Sequence, residues 1–350
     1  MLISFINLMS FARNSDILLP LKIDIKYGYI NQTGKIIIKP IFDDAKDFSE
    51  DLAAIKINNK WGYINREGKI VIPPKFVYAD NFSEGLGLVN LKSDKDYEGK
   101  EIPYMGKMKY INQKGKFIIN KDFWSASKFS DGLAVVRERP EDKDGFIDKT
   151  GKYIINPIYT TASEFSEGLA SVEIVNYESN TEEFKGFINK KGEVTIKHQY
   201  DSSDSFSEGL ASVNIKSGYL FYGFINNVGK LVITGNYNIT GKFSEGLCVV
   251  CRTTINEEKK EIKNNCGYID REGNIKIKLK YSDAHDFFEG LASIEINGKY
   301  GFIDKNDNLI IENVFDKPSN FKNGFAKVVL NGKENYIDNK GNLIFKIPKK

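Results

Sequence analysis

A chain of 350 residues with 41% hydrophobic and 28% charged residues has a globular composition, which excludes a disordered, collagen-like or wholly membrane-embedded polypeptide. Its formal net charge of +3 is too small for the field that attracts nucleic acid, so no nucleic-acid partner is expected. The counts that stand out are 30 Gly, 24 Phe and 18 Tyr beside two His, and they point to turns and packing layers before chemistry.

In chain order the first element is residues 1–17. Met1 to Phe11 is apolar but has no basic flank and no small-residue cleavage site, and it is far short of the ~20 residues that span a bilayer. It is expected to be a cap on the following array or a truncated targeting segment. Cytoplasmic is the default location, with export through a non-standard signal as the alternative.

From residue 18 a repeat takes over. The string G-[YF]-I-[ND] starts at Gly28, Gly62, Gly145, Gly186, Gly223, Gly267 and Gly301, with degenerate copies at Lys109 and Asn335. Six positions after each start stands a glycine in eight copies and Asp307 in the other. After each of the first eight starts an aromatic follows at fourteen positions, from Phe42 to Phe315. Another follows at twenty: Phe48, Phe82, Phe129, Phe165, Phe206, Phe243, Phe287 and Phe321, which open the string F-S-E-G-L-A in its fullest form. These spacings never vary, so every insertion falls between F-S-E-G-L-A and the next start. In the shortest copies that loop is Asn58-Asn59, Asn297-Gly298 or Asn331-Gly332, which supply the two positive φ angles of a type I′ hairpin. Strands a and b flank this loop, and a β-branched run such as Ile70-Val71-Ile72 supplies strand c.

The expected fold is therefore all-β: nine three-stranded antiparallel meanders over residues 18–347, with units starting near 18, 52, 86, 133, 169, 210, 247, 291 and 325, and a tail at 348–350. Propeller blades usually have four strands and often share a closing blade between the termini. Whole three-stranded units at both ends thus predict an open superhelix, with a closed propeller-like ring as the alternative.

Trp61-Gly62 preceded by Lys60, with F-S-E-G-L at Phe82 to Leu86, resembles the WG (KWG) repeat family of bacteria over roughly residues 18–347. The resemblance implies a β-rich array used for binding, sometimes attached to toxin or enzyme domains, and it implies no catalytic residues.

The repeated residues are expected to be structural: Trp61, Gly62 and the eight Phe at offset twenty pack successive units. The carboxylates of F-S-E-G, from Glu50 to Glu289, are expected to accept backbone N–H bonds, because one acid per repeat is too sparse for a calcium array. Neither His198 nor His285 lies in a nucleophile or metal motif, and both are expected at the solvent. Cys248 and Cys251 have C-x-x-C spacing, but on a strand they face opposite sides, so no metal is expected there. No cofactor, catalytic or metal residue is expected, and the chain is read as non-enzymatic.

The variable a–b loops are the preferred site, since a rigid scaffold places its function where it permits variation. The candidate edge comprises Lys92, Tyr97, Tyr104, Met105, Arg137, Arg139, Tyr177, Phe184, Tyr219 and Arg252, facing a protein partner or surface ligand. A glycan bound on exposed aromatics is the second reading, and a hydrolase with a carboxylate pair is the third. Oligomeric state and ligand identity do not follow from these residues. Counting back from Asn297-Gly298, Glu295 faces Tyr300 in a non-hydrogen-bonded pair. If the loop from Arg252 to Asn265 keeps that register, Cys251 and Cys266 stand opposite at about 4.5 Å between Cα atoms, within disulfide range. In the cytosol they are expected as reduced thiols.

Overall fold

The computed structural model describes residues 17–95, 99–174, 184–215, 222–256, 261–317 and 319–345. Its regular structure is β throughout these segments, in successive small antiparallel sheets. Unit two typifies them: strand a is Ala53–Ile57, strand b Lys60–Ile64 and strand c Ile70–Phe76. Strand a pairs with b across the Asn58-Asn59 turn, whose φ angles are 49° and 60°.

The repeated start glycine has a spatial role. Strand c bulges where it crosses b, and a Cβ on Gly62 would lie 2.5 Å from the Ile72 carbonyl oxygen and 2.6 Å from the Pro74 nitrogen. Gly28, Gly186, Gly267 and Gly301 meet the same obstruction. The Asn or Asp that ends G-[YF]-I-[ND] shapes the b–c turn: Asn65 Oδ1 accepts from the Glu67 and Lys69 amides, and Gly68, at φ 79°, donates to the Asn65 carbonyl. This Asx turn recurs at Asn31, Asn112, Asp148, Asn189, Asn226, Asp270, Asp304 and Asp338.

The expectation of three strands per unit is corrected. After the aromatic that closes strand c, the chain bends and returns beside the next strand a, adding a short strand at Asp44–Ala45, Tyr78–Ala79, Ser125–Ala126, Thr161–Ala162 and Ile239–Thr240. In unit five strand c (Val194–Ser203) itself runs on to pair with the next strand a. Two residues are too few to carry an alternating pattern, and the sequence hides them.

Cores form between units as well as within them. Leu52, Tyr63, Phe76 and Phe82 of unit two share one cluster with Val89 and Ile111 of unit three. Such clusters recur along the array, and one of them joins its two ends: Leu19, Leu21 and Ile30 of the first unit pack with Tyr336 and Phe345 of the ninth. Tyr336 donates to the Pro20 carbonyl at 3.2 Å, and Lys322 lies 3.6 Å from Asp47. A Cβ on Gly34 would lie 2.0 Å from the Ile344 carbonyl oxygen, whereas at the joint of units one and two Gly68 meets the Ile38 side chain at 3.1 Å. The first and ninth units, expected to lie apart in an open superhelix, are thus in side-chain contact. Among the described residues no strand of one end is hydrogen-bonded to a strand of the other, and the ends meet through side chains.

Candidate functional site

The array has two unlike faces. On one lie the F-S-E-G and b–c turns. Each F-S-E-G turn has its acid and the following residue at positive φ, Glu84 at 52° and Gly85 at 87° for example. The turn then bonds to its successor. Ser49 Oγ donates to the Phe82 carbonyl at 2.7 Å, Ser83 to Phe129 at 2.8 Å, Ser130 to Phe165 at 2.7 Å and Ser166 to Phe206 at 2.8 Å. The carboxylates accept backbone amides, as the sequence led us to expect, and the amides belong to the next unit: Gly168 donates to Asp131, Gly209 to Glu167 and Gly246 to Glu208. Lys149 and Lys305 in b–c turns further along reach back to Glu84 and Glu245 at 3.0 and 3.1 Å. This face is repetitive and cross-braced.

On the opposite face emerge the a–b loops, where all length variation falls. Two of them are not loops but long hairpins. Gly87–Lys95 pairs with Glu101–Ile111, so the segment from Lys92 to Lys107 is largely strand, with irregular register between Ile102 and Met108. Buried Asn90 holds the irregularity by donating to the Pro103 and Met105 carbonyls, and Trp124 Nε1 pins the hairpin at Asp94 at 2.8 Å. The candidate residues divide accordingly. Lys92, Tyr104 and Arg139 are exposed, with Tyr104 at 55%, and Met105 and Phe184 are half-buried. Arg137 instead secures the scaffold, at 2.8 Å from Asp144 and donating to the Thr160 carbonyl. Arg252 is exposed, donates to the Asn236 carbonyl and lies 5.5 Å from the Tyr237 ring centroid. Tyr97, Tyr177 and Tyr219 lie outside the described residues. Ile25, 79% exposed, stands in the first a–b turn at the position of Asn59 and Gly298 and belongs to the same face.

The second long hairpin, Leu247–Asn256 with Glu261–Asp270, keeps the expected register, Cys251 opposite Cys266 with Cα atoms 4.0 Å apart. The two cysteines are joined in a disulfide, where reduced thiols were expected. Cys248 is a free, buried thiol whose pKa burial pushes well up, so it is no partner in a C-x-x-C pair.

The aromatics at offsets one, fourteen and twenty are core: Tyr63, Phe76 and Phe129 are fully buried, and Phe48 is half-buried. Tyrosines at offset one also tie down the loop ahead of F-S-E-G, Tyr63 donating to the Asp80 carbonyl at 2.7 Å and Tyr110 to Ser127 at 2.8 Å. Trp61 is buried too, with Lys46 and Lys56 within 5.9 Å of its ring centroid.

The histidines differ. His285 is exposed, as expected, and its Nε2 lies 3.4 Å from Asp283, whose hydrogen bond raises the imidazole pKa. His198 is half-buried rather than solvent-facing, and desolvation lowers its pKa. Strand c of unit five carries it where Pro40 and Pro157 stand in their units, over the start glycine Gly186. Among the described residues no group of His, Cys, Asp and Glu is arranged to hold a metal. A cleft of about 440 Å³ lies where the first and ninth units meet, with Asp47 as its one carboxylate.

The family profile described as WG containing repeat matches residues 27–61, 61–95, 110–139, 145–176, 186–219, 222–252, 267–300 and 300–333, each match running from one strand b to the hairpin before the next. No curated protein matches. Among solved structures, the extracellular domain of the BT4673 one component system from B. thetaiotaomicron is 13% identical with a TM-score of 0.35, over 88% of this chain and 41% of that one. This chain thus spans about two fifths of that relative's length. The β-propeller domain of the Trilobed protease from Pyrococcus furiosus, described as having an open velcro topology, is 10% identical with a TM-score of 0.38, over 78% and 96%. Kluyveromyces lactis Hsv2 is 9% identical with a TM-score of 0.33, over 80% and 89%. Eight matches over most of its length show that the chain belongs to the WG containing repeat family.

Proposed function

Taking that membership as premise, we propose that the chain is a non-enzymatic binding scaffold whose nine units close into a ring, and that its a–b hairpin face recognises a protein partner. One observation carries the reading: length and composition vary on that face alone, while the opposite face is braced by the same hydrogen bonds from unit to unit. Closed repeat rings leave few edges and give a rigid mount for loops. The long hairpin of unit three is the principal element, since it projects Lys92 and Tyr104 from a base fixed by Asn90 and Trp124. Glycan stacking is less well supported, because the repeating aromatics it needs are core. A hydrolase needs two facing carboxylates, and the seam cleft offers one. The Cys251–Cys266 bond favours an oxidising compartment, and with it the export alternative.

Capture with the full chain tests the reading against a variant in which residues 92–106 are replaced by Asn-Gly, so that Leu91 and Lys107 flank a two-residue turn as Ile57 and Lys60 do. Loss of the specific partner with a retained cooperative unfolding transition is expected, at a midpoint lowered by the loss of the Asn90 and Trp124 bonds. Equal capture by both would overturn the assignment of the face.

A further inference from the structure

In units two, three and four the b–c turn is followed by Lys69-Ile70-Val71, Lys116-Phe117-Ile118 and Lys152-Tyr153-Ile154. In units seven, eight and nine the place of the lysine is taken by Asn274, Asn308 and Asn342, whose side chains bond to the Asp that opens the turn. The turn closes equally either way, since Lys69 and Asn308 each give a backbone amide to the Asx oxygen. Strand c is the open edge of its sheet in unit eight as it is in unit two. Neither the turn nor the protection of an edge strand therefore calls for the lysines.

In units two to four these strings join into one strip. Lys75 lies 5.9 Å from the ring centroid of Phe117 in the next unit, and Lys121 lies 5.1 Å from that of Tyr153 in the unit after. Ile70, Val71, Phe117, Ile118 and Ile154 are each 36–51% exposed, so the strip is apolar surface that the array itself does not cover. Lys69 and Lys116 are exposed and pair with no carboxylate among the described residues. The acids near them are engaged: Asp122 lies against Lys109 and Lys107, and Glu67 accepts from Asn65. The strip runs beside the b–c turns of the braced face, and the whole first unit separates it from the seam.

We propose that this strip is a docking surface for an anionic lipid bilayer. Its lysines face the headgroup phosphates, and the apolar side chains between them enter the boundary of headgroups and acyl chains without crossing the membrane. Lipid fits the strip better than other polyanions. Aliphatic side chains gain little from a nucleic acid, which is held by charged and hydrogen-bonding side chains and by stacked rings, and the cores of protein interfaces are depleted of lysine. A laterally fluid surface also suits a strip that offers the same string three times in place of one shaped pocket. The strip lies away from the a–b hairpins, so it stands independently of the proposed protein-recognition face.

The test sediments the full chain with vesicles of phosphatidylglycerol and phosphatidylcholine in equal parts, and with vesicles of phosphatidylcholine alone. Binding to the mixed vesicles that declines with added salt is expected, with none to the neutral ones. K69Q/K116Q should weaken it about tenfold or more, because each lysine near an anionic surface contributes roughly a fivefold gain. I70S/I118S should weaken it about tenfold or more as well, through the loss of buried hydrocarbon. K278Q, at an exposed lysine of unit seven, should bind as the wild type does. All five positions are exposed, so each variant should keep the cooperative unfolding transition of the wild type. Absence of binding by the wild type, equal binding by the wild type and K69Q/K116Q, or an equal loss in K278Q overturns the proposal. Binding lost in K69Q/K116Q but kept in I70S/I118S overturns the bilayer as occupant and makes the strip a site for a hydrated polyanion such as nucleic acid.

Discussion

If the start glycines exist to let strand c cross, alanine at Gly62 should be far more damaging than alanine at Gly85, although Gly62 has the more ordinary backbone. At Gly62 the added methyl would lie 2.5 and 2.6 Å from backbone atoms of Ile72 and Pro74, and backbone at a bulge cannot swing aside as a side chain can. Strand c must move, with the loss of its pairing to Trp61 and of the burial of Phe76 between units two and three. Overpacking of this kind costs up to about 3 kcal/mol, and more where the obstruction is main chain. At Gly85 nothing lies within 4 Å, and the penalty is only that of holding an L-residue at φ 87°, about 1–2 kcal/mol. Urea denaturation of G62A and G85A beside the wild type reads both. We expect the midpoint of G62A to fall clearly below that of G85A, with G28A behaving like G62A. Equal or reversed midpoints would refute the close-approach argument and return these glycines to a role in chain flexibility.

Three further outcomes follow from the same structure. Reduction of Cys251–Cys266, or C251S, should destabilise the native state by about 3 kcal/mol, the loop-closure value for a separation of 15 residues; a midpoint unmoved by reductant would show that the bond is absent or idle. Proton NMR of the two imidazoles should separate them: His285 titrates above the ordinary histidine value because of Asp283, and His198 below it because of burial. The raised His285 pKa means that its ion pair stabilises the fold below the unfolded value of about 6.5 and that this contribution is lost as pH rises through the folded value; D283N should return His285 toward the ordinary value and leave His198 unchanged. Replacing Ser166 by Ala removes its bond to the Phe206 carbonyl and should cost about 1 kcal/mol, measured by urea denaturation; no loss would mean that water replaces the hydroxyl at that joint.

Much of this architecture was legible because fixed spacing carries local geometry. Asn297-Gly298 specified a two-residue hairpin, and counting from it paired Glu295 with Tyr300 and, by transfer, Cys251 with Cys266. The roles of Asn65 and its equivalents were visible as a motif but not as a cap, since the acceptor geometry needs the b–c turn to be built first. The two-residue strand at Asp44–Ala45 is too short for alternation to register. The meeting of Leu21 with Tyr336 brings the first unit against the ninth, a contact that no single repeat encodes. Within the candidate edge, exposure sorted residues that composition could not: Arg137 and Tyr104 look alike as loop residues, yet one is bound to Asp144 and the other projects to solvent.

The meeting of the ends is the claim on which the rigid mount and the seam cleft both depend, and small-angle X-ray scattering of the full chain tests it most directly. A ring of nine units predicts a compact profile, with a radius of gyration near the ~20 Å expected for a folded chain of this length. A distinctly larger radius, with the long tail in the distance distribution that marks an extended superhelix, would contradict it.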